Sequence, residues 1–183
     1  MTTPSQYKVL FSKEEIAREV ARIGADISAW CEAAWKDSNV DVLAIPILRG
    51  GIFLFADLVR EITHSVQIAP AQSWAYRPGE NATQLASVRV DLNAVPAKGR
   101  RVLIIDDICD SGRTLKTLSD ALYSMGAVEV RTAVLITREV VNQEHTPNWS
   151  CFSYSGAEWI VGYGMEDAER WRNLPFVGII SSK

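Results

Sequence analysis

RVLIIDDICDSGRTLKTL, residues 101–118, decides the fold. Val102 to Ile105 is an unbroken apolar run, the pattern of a strand buried on both faces of a parallel sheet. Asp106 and Asp107 are expected to end that strand, and Asp110-Ser111-Gly112-Arg113-Thr114 makes a short polar turn. Leu115, Leu118 and Leu122 then recur at steps of three and four, so a helix follows. Strand, acidic pair, small-residue turn and helix start together predict a ligand site at the carboxyl edge of an α/β sheet.

The turn has its own chemistry. Gly112 lets the backbone bend so that successive N–H groups point into one concavity, which suits an anion at a helix N-terminus. Ser111 and Thr114 add hydroxyl donors, and so short a loop fits one phosphate better than a diphosphate. Neither GxxxxGK[ST] nor the spacing of GxGxxG is present, which argues against a P-loop or a dinucleotide fold. Asp106 and Asp107 would repel a phosphate, so they face sugar hydroxyls or a divalent cation. The implied ligand is a phosphorylated sugar with a free diol. A helix cap needs one acidic or hydroxyl residue, and three acids around a buried strand end exceed that need.

At 183 residues the chain suits one domain, 1–183, with room for a sizeable core. The net charge of −3 offers no broad electrostatic footprint for nucleic acid, so none is expected as a partner. Cys31, Cys109 and Cys151 form neither a disulfide framework nor a CxxC metal pattern, and His64 and His145 form no ligand pair. With no basic-then-apolar leader and no apolar run of membrane-spanning length, the expected location is the cytoplasm, off the membrane.

Along the chain, residues 1–11 read as a weakly structured lead-in. Ser12 and Glu15 form a capping-box pattern, and Ile16, Val20, Ile23, Ile27 and Trp30 give one apolar face of a helix reaching about residue 36. Asp41 to Leu48 is the first core strand, broken by Arg49-Gly50-Gly51 before a helix over IFLFADLVREI. Val66 to Ala69 reads as a strand, and 74–88 is polar and irregular around Pro78-Gly79, with a returning strand at Val88 to Leu92. Val128 to Ile136 is another core strand, ending in Thr137-Arg138, whereas 139–157 carries no pattern. Glu158 to Val161 and Val177 to Ile180 are short strands either side of the Gly162-Tyr163-Gly164 turn.

Residues 101–118 resemble the phosphoribosyl-diphosphate signature of the type I phosphoribosyltransferases: apolar strand, two acids, two variable residues, then Asp, Thr or Ser, Gly, often Lys or Arg, and Thr. Arg49-Gly50-Gly51 is similar to the pyrophosphate loop of the 6-oxopurine members, where a cis peptide is common, which places one at Leu48-Arg49. WIVGYGMEDAERWRNLPFVGII resembles the C-terminal signature of the hypoxanthine-guanine phosphoribosyltransferases. The resemblance implies an α/β fold: a parallel sheet flanked by helices, a small hood built mainly from 150–183, and a mobile loop over the site carrying Tyr76.

The activity implied is transfer of 5-phosphoribosyl from phosphoribosyl diphosphate to a 6-oxopurine with release of pyrophosphate, assisted by Mg²⁺, in a homodimer or homotetramer. Phosphoribosyl diphosphate would be bound by Arg49, Gly50, Gly51, Asp106, Asp107, Asp110, Ser111, Gly112, Arg113, Thr114 and Arg172, with Asp110 as the general base. Asp106, Asp107 and Glu166 would contact the metal. Trp159 would stack on the base and the Ile160 backbone would read its edge. Where the family has a Lys that donates to the 6-oxo group this chain has Thr137, and Arg138 beside it points the other way if the strand continues, unless the turn rotates it inward. Two alternatives stay open: a phosphoribosyltransferase acting on another nucleobase, and a regulator of this fold that binds nucleotide or RNA.

Overall fold

Residues 7–69, 71–74, 89–92 and 95–180 are described by the computed structural model. Tyr76 and the rest of the expected loop after Trp74, residues 75–88, lie outside them.

In chain order the elements are β1 (Tyr7–Phe11), α1 (Lys13–Ser38), β2 (Val42–Leu48), α2 (Ile52–Glu61), β3 (Val66–Ile68), β4 (Ala71–Trp74), β5 (Arg89–Asp91), β6 (Arg101–Cys109), α3 (Arg113–Ser124), β7 (Glu129–Arg138), β8 (Trp149–Tyr154), β9 (Ile160–Val161) and β10 (Val177–Ile180). The main sheet runs β5-β4-β2-β6-β7-β8, and β3 also pairs with β2. Its pairings are parallel except β4 with β5. A second, antiparallel sheet, β1-β10-β9, is the hood.

Apolar alternation in β6 explains the layers. Leu103 and Ile105 pack toward α1 and α2 with Ile16, Ile23, Ile27, Leu54 and Leu58. Val102 and Ile104 pack on the opposite face, with Leu115, Leu118 and Leu122 of α3. Burial on both faces is why the strand reads as a continuous hydrophobic run. The start of α1 follows from its cap: Ser12 Oγ accepts from the Glu15 N–H, and the Glu15 carboxylate accepts from the Ser12 N–H. Such a cap satisfies two of the backbone donors a helix start leaves open.

Sheet order places the site. After β2 the chain moves outward to β3, β4 and β5, then returns to β6 on the other side of β2. That reversal opens a crevice at the carboxyl ends of β2 and β6, the ordinary ligand position in an open α/β sheet.

Four expectations need correction. Residues 7–11 are no loose lead-in: β1 pairs with β10, and Tyr7 OH donates to Asp167 Oδ2 at 2.9 Å. Their alternation is weak because the strand is half exposed and gains its partner from the far end of the chain. The unpatterned stretch 139–157 contains β8, which extends the main sheet beside β7 and so removes 149–154 from the hood. The six residues of β8, WSCFSY, do not alternate in polarity, and Ser150 is accommodated by hydrogen bonds with Thr137 and with Phe152 O, so no apolar period announces the strand. The short strand expected to start at Glu158 starts at Ile160. Asp106 and Asp107 do not end their strand: β6 continues to Cys109 because β7 supplies partners as far as Thr137.

Leu103 is fully buried at the centre of the larger core. Leu103→Ala is expected to lower unfolding free energy by about 2–5 kcal/mol, read from urea or guanidinium denaturation.

Candidate active site

The acidic pair lies in β6 just before its end at Cys109, beside the end of β2. Asp106 is 8% exposed. Its Oδ1 accepts from the Asp107 N–H at 2.9 Å, and Asp107 Oδ1 accepts from the Ile108 N–H at 2.9 Å. Burial pushes both carboxyls above their ordinary range, Asp106 well above it, and the Asp107 charge raises Asp106 further. Asp107 rises less, because hydrogen bonds and the nearby Arg172 charge favour its ionised form. Both shifts go the way expected of two like charges kept out of water, and Asp106 is the member whose protonated form the fold favours more.

Gly50 explains the double glycine. A Cβ there would overlap the Asp107 carboxylate, and a Cβ on Gly51 would stand 2.8 Å from the carbonyl oxygens of Ile47 and Ile105. The loop after β2 thus lies directly on the acids at the end of β6. The Leu48–Arg49 peptide is cis, where the resemblance places it. From the hood, Gly164 closes on the Gly50 carbonyl so tightly that a side chain there would collide with it. Arg172 donates to Gly164 O at 2.6 Å and pairs with Glu166 Oε1 at 3.2 Å. Arg49 reaches the same turn, pairing with Glu169 at 2.9 Å. Three segments far apart in sequence therefore meet over Asp106 and Asp107.

The turn after β6 is held from below. Gly112 has φ +82°, and a Cβ there would strike the His145 backbone. The Glu144 N–H donates to Ser111 O at 2.8 Å, and Arg113 Nε pairs with Glu144 at 3.0 Å. The Arg113 side chain is therefore directed to Glu144, while its backbone N–H opens α3. The segment 143–145 was not marked by any sequence signal, since the partners of its backbone and of the Gln143, Glu144 and His145 side chains (Cys109, Arg113 and Thr132) lie far off in the chain.

Asp110 and the base-side residues complete the site. The Asp110 side chain is 69% exposed, and its Oδ1 lies 2.8 Å from Arg138 Nε. The Trp159 ring is largely exposed, with Nε1 donating to Glu166 O at 2.7 Å, and Ile160 beside it is buried in β9. Thr137 is not brought to Asp110. Its hydroxyl donates to Ser150 Oγ at 3.0 Å, because β7 continues through Arg138 and alternation turns the two side chains to different partners. Arg138 faces Asp110 although β7 continues through it, against the expectation that it would then point away from the site, and no turn is needed to rotate it inward.

The donor set fits a hard divalent cation. Glu166 Oε2 is buried with no hydrogen-bond partner among the described residues, and the Asp106–Asp107 pair is acidic beyond what the fold needs. No cluster of three or more ligating side chains occurs among the described residues. That pattern suits Mg²⁺, which takes one or two carboxylates and completes its shell with water and substrate phosphates.

An acidic sheet-end pair, an anion cradle at a helix start and an exposed aromatic ring define a sugar-phosphate site of the transferase type on an α/β scaffold. Comparison with known proteins agrees: residues 12–168 match the family model for the phosphoribosyl transferase domain. The chain is 31% identical to the hypoxanthine-guanine phosphoribosyltransferase of Streptococcus pneumoniae R6 over 180 residues, 96% of this chain and 94% of that one. It is 31% identical to the hypoxanthine phosphoribosyltransferase of Escherichia coli K12 over 174 residues, 93% of each. The fold matches the hypoxanthine phosphoribosyltransferase of Trypanosoma cruzi with a TM-score of 0.81 at 20% identity, covering 99% of this chain and 98% of that one. The chain belongs to the phosphoribosyltransferase family, as a type I member related to the hypoxanthine(-guanine) phosphoribosyltransferases.

Two variants test this geometry. Gly50→Ala is expected to displace the Asp107 carboxylate and lower turnover by about a hundredfold, with little change in melting temperature. For the acid pair, the folded state favours the protonated form. Its contribution to stability is complete below the ordinary carboxyl value of 3.8 and is lost as pH rises through the raised folded value. Asp106→Asn should therefore raise the melting temperature of the ligand-free protein at neutral pH, by about 2–4 °C per kcal/mol relieved. Differential scanning calorimetry should show the gain shrinking as the pH approaches 3.8.

Proposed function

We propose that this protein transfers the 5-phosphoribosyl group from phosphoribosyl diphosphate to a 6-oxopurine, hypoxanthine first and guanine or xanthine as further candidates, releasing pyrophosphate in purine salvage. The observation that carries this reading is the convergence of Arg49-Gly50-Gly51, the acidic pair and the Gly164–Arg172 turn on one crevice. A sugar-phosphate binder needs only the second of these. A leaving pyrophosphate needs the cations of the other two.

In this reading the turn from Asp110 to Thr114 cradles the 5-phosphate with the backbone donors that open α3 and the hydroxyls of Ser111 and Thr114. Asp106 and Asp107 hold the ribose hydroxyls. Asp106 and Asp107 on β6, or Glu166 in the hood turn, would supply the one or two carboxylates that hold Mg²⁺, which when bound supplies positive charge opposite the pyrophosphate. Arg49 and Arg172 balance charge as the bond to pyrophosphate breaks and the ribose carbon becomes oxocarbenium-like. Glu169 occupies Arg49 in the meantime through an exposed ion pair, worth little and easily exchanged for phosphate oxygens. Trp159 stacks on the base, the Ile160 backbone meets its edge, and Asp110 takes the proton from purine N7. The protein acts in the cytoplasm as a homo-oligomer, without nucleic acid or membrane. No helix among the described residues is long and apolar enough to cross a membrane.

A panel of nucleobases, with phosphoribosyl diphosphate and Mg²⁺, should release pyrophosphate with hypoxanthine. No pyrophosphate release with any base would favour the nucleotide-binding regulator. Asp110→Asn is expected to lower turnover by about two orders of magnitude or more while leaving phosphoribosyl-diphosphate binding in place. Unchanged turnover would remove Asp110 from the mechanism.

A further inference from the structure

We propose that Arg138 selects a 6-oxo over a 6-amino purine at this site, an inference that rests on the purine reading above. Arg138 is the last residue of β7, and its side chain is only 15% exposed. Nε faces Asp110 Oδ1 at 2.8 Å, Nη1 donates to Gly156 O, and Nη2 donates to Glu158 O at 3.3 Å. The Tyr154 ring centroid lies 5.7 Å from the guanidinium carbon. The guanidinium is thus clamped between Asp110 and the segment that leads directly into Trp159.

Donor accounting makes it more than an anchor for Asp110. A guanidinium has five N–H groups and no acceptor. Three are committed to these contacts, which leaves one on each terminal nitrogen. In a purine, N7 and the C6 substituent lie on the same edge of the fused ring. A carboxylate that meets N7 therefore sets its ion-pair partner beside the C6 substituent. A 6-oxo group accepts a hydrogen bond from that cation. A 6-amino group presents its own hydrogens to donors that cannot lose their protons, leaving both sides unpaired, and such a mismatch discriminates strongly. The neighbouring Thr137 hydroxyl is committed to Ser150.

The test compares wild type, Arg138→Met and Arg138→Lys with phosphoribosyl diphosphate and Mg²⁺, using hypoxanthine and adenine and reading pyrophosphate release. In Arg138→Met the ratio of kcat/KM for hypoxanthine to that for adenine should fall about ten- to a hundredfold, the size of a lost charged hydrogen bond. The loss should appear in KM for the base, with KM for phosphoribosyl diphosphate unchanged, and Arg138→Lys should recover most of it. Should Arg138→Met fail to fold, Arg138→Gln carries the same comparison, since an amide offers either a donor or an acceptor and should relax the ratio. An active wild type with an unchanged ratio in the folded variant overturns the role of Arg138 alone. A wild type that releases no pyrophosphate with any base overturns the purine reading, and this inference with it.

Discussion

Two carboxyls, Asp106 and Asp107, are held side by side near the carboxyl end of a buried strand, and the surrounding structure is arranged to keep them there. Like charges out of water repel and lose hydration, so both carboxyls are shifted upward, Asp106 more than Asp107. That arrangement costs stability. It persists because β6 is buried on both faces and hydrogen-bonded to β2 and β7, which fixes the backbone the acids depend on.

The rest of the site follows from the same constraint. Only a residue without a side chain can lie over Asp107, which is why Gly50 is there. Only another glycine can close on Gly50 from the hood, which is the place of Gly164. Arg172 ties that closure to Glu166 and lends positive charge to Asp107. The hood is anchored through β1, whose Tyr7 hydroxyl holds Asp167 next to Glu166. Strain is stored at working sites and offset elsewhere. Here the offset is the two-faced core of β6.

Much of this was legible in the sequence because it is written in local patterns. The apolar run before Asp106 marks a central strand, Ser12 and Glu15 mark a helix start, and Gly-Gly after Leu48 marks a close approach. What was not legible depends on partners distant in the chain. β1 shows little alternation because its pairing comes from β10, and β8 is a short edge strand, WSCFSY, without a periodic signature. The persistence of β6 to Cys109 is decided by β7, and no feature of DDIC announces it. Local alternation correctly separates Thr137 from Arg138, but not which of them faces Asp110. That depends on the position of β6 against β7 and on carbonyls from 156 and 158.

The most direct test of the account is the proton balance of substrate binding. Preformed Mg²⁺–phosphoribosyl diphosphate titrated calorimetrically near neutral pH, in buffers of different ionisation enthalpy, reports protons released from the protein, because cation binding requires deprotonated carboxylates. The account predicts a buffer-dependent heat from proton release in the wild type that is largely lost in Asp106→Asn. Equal heats in every buffer for the wild type would contradict it.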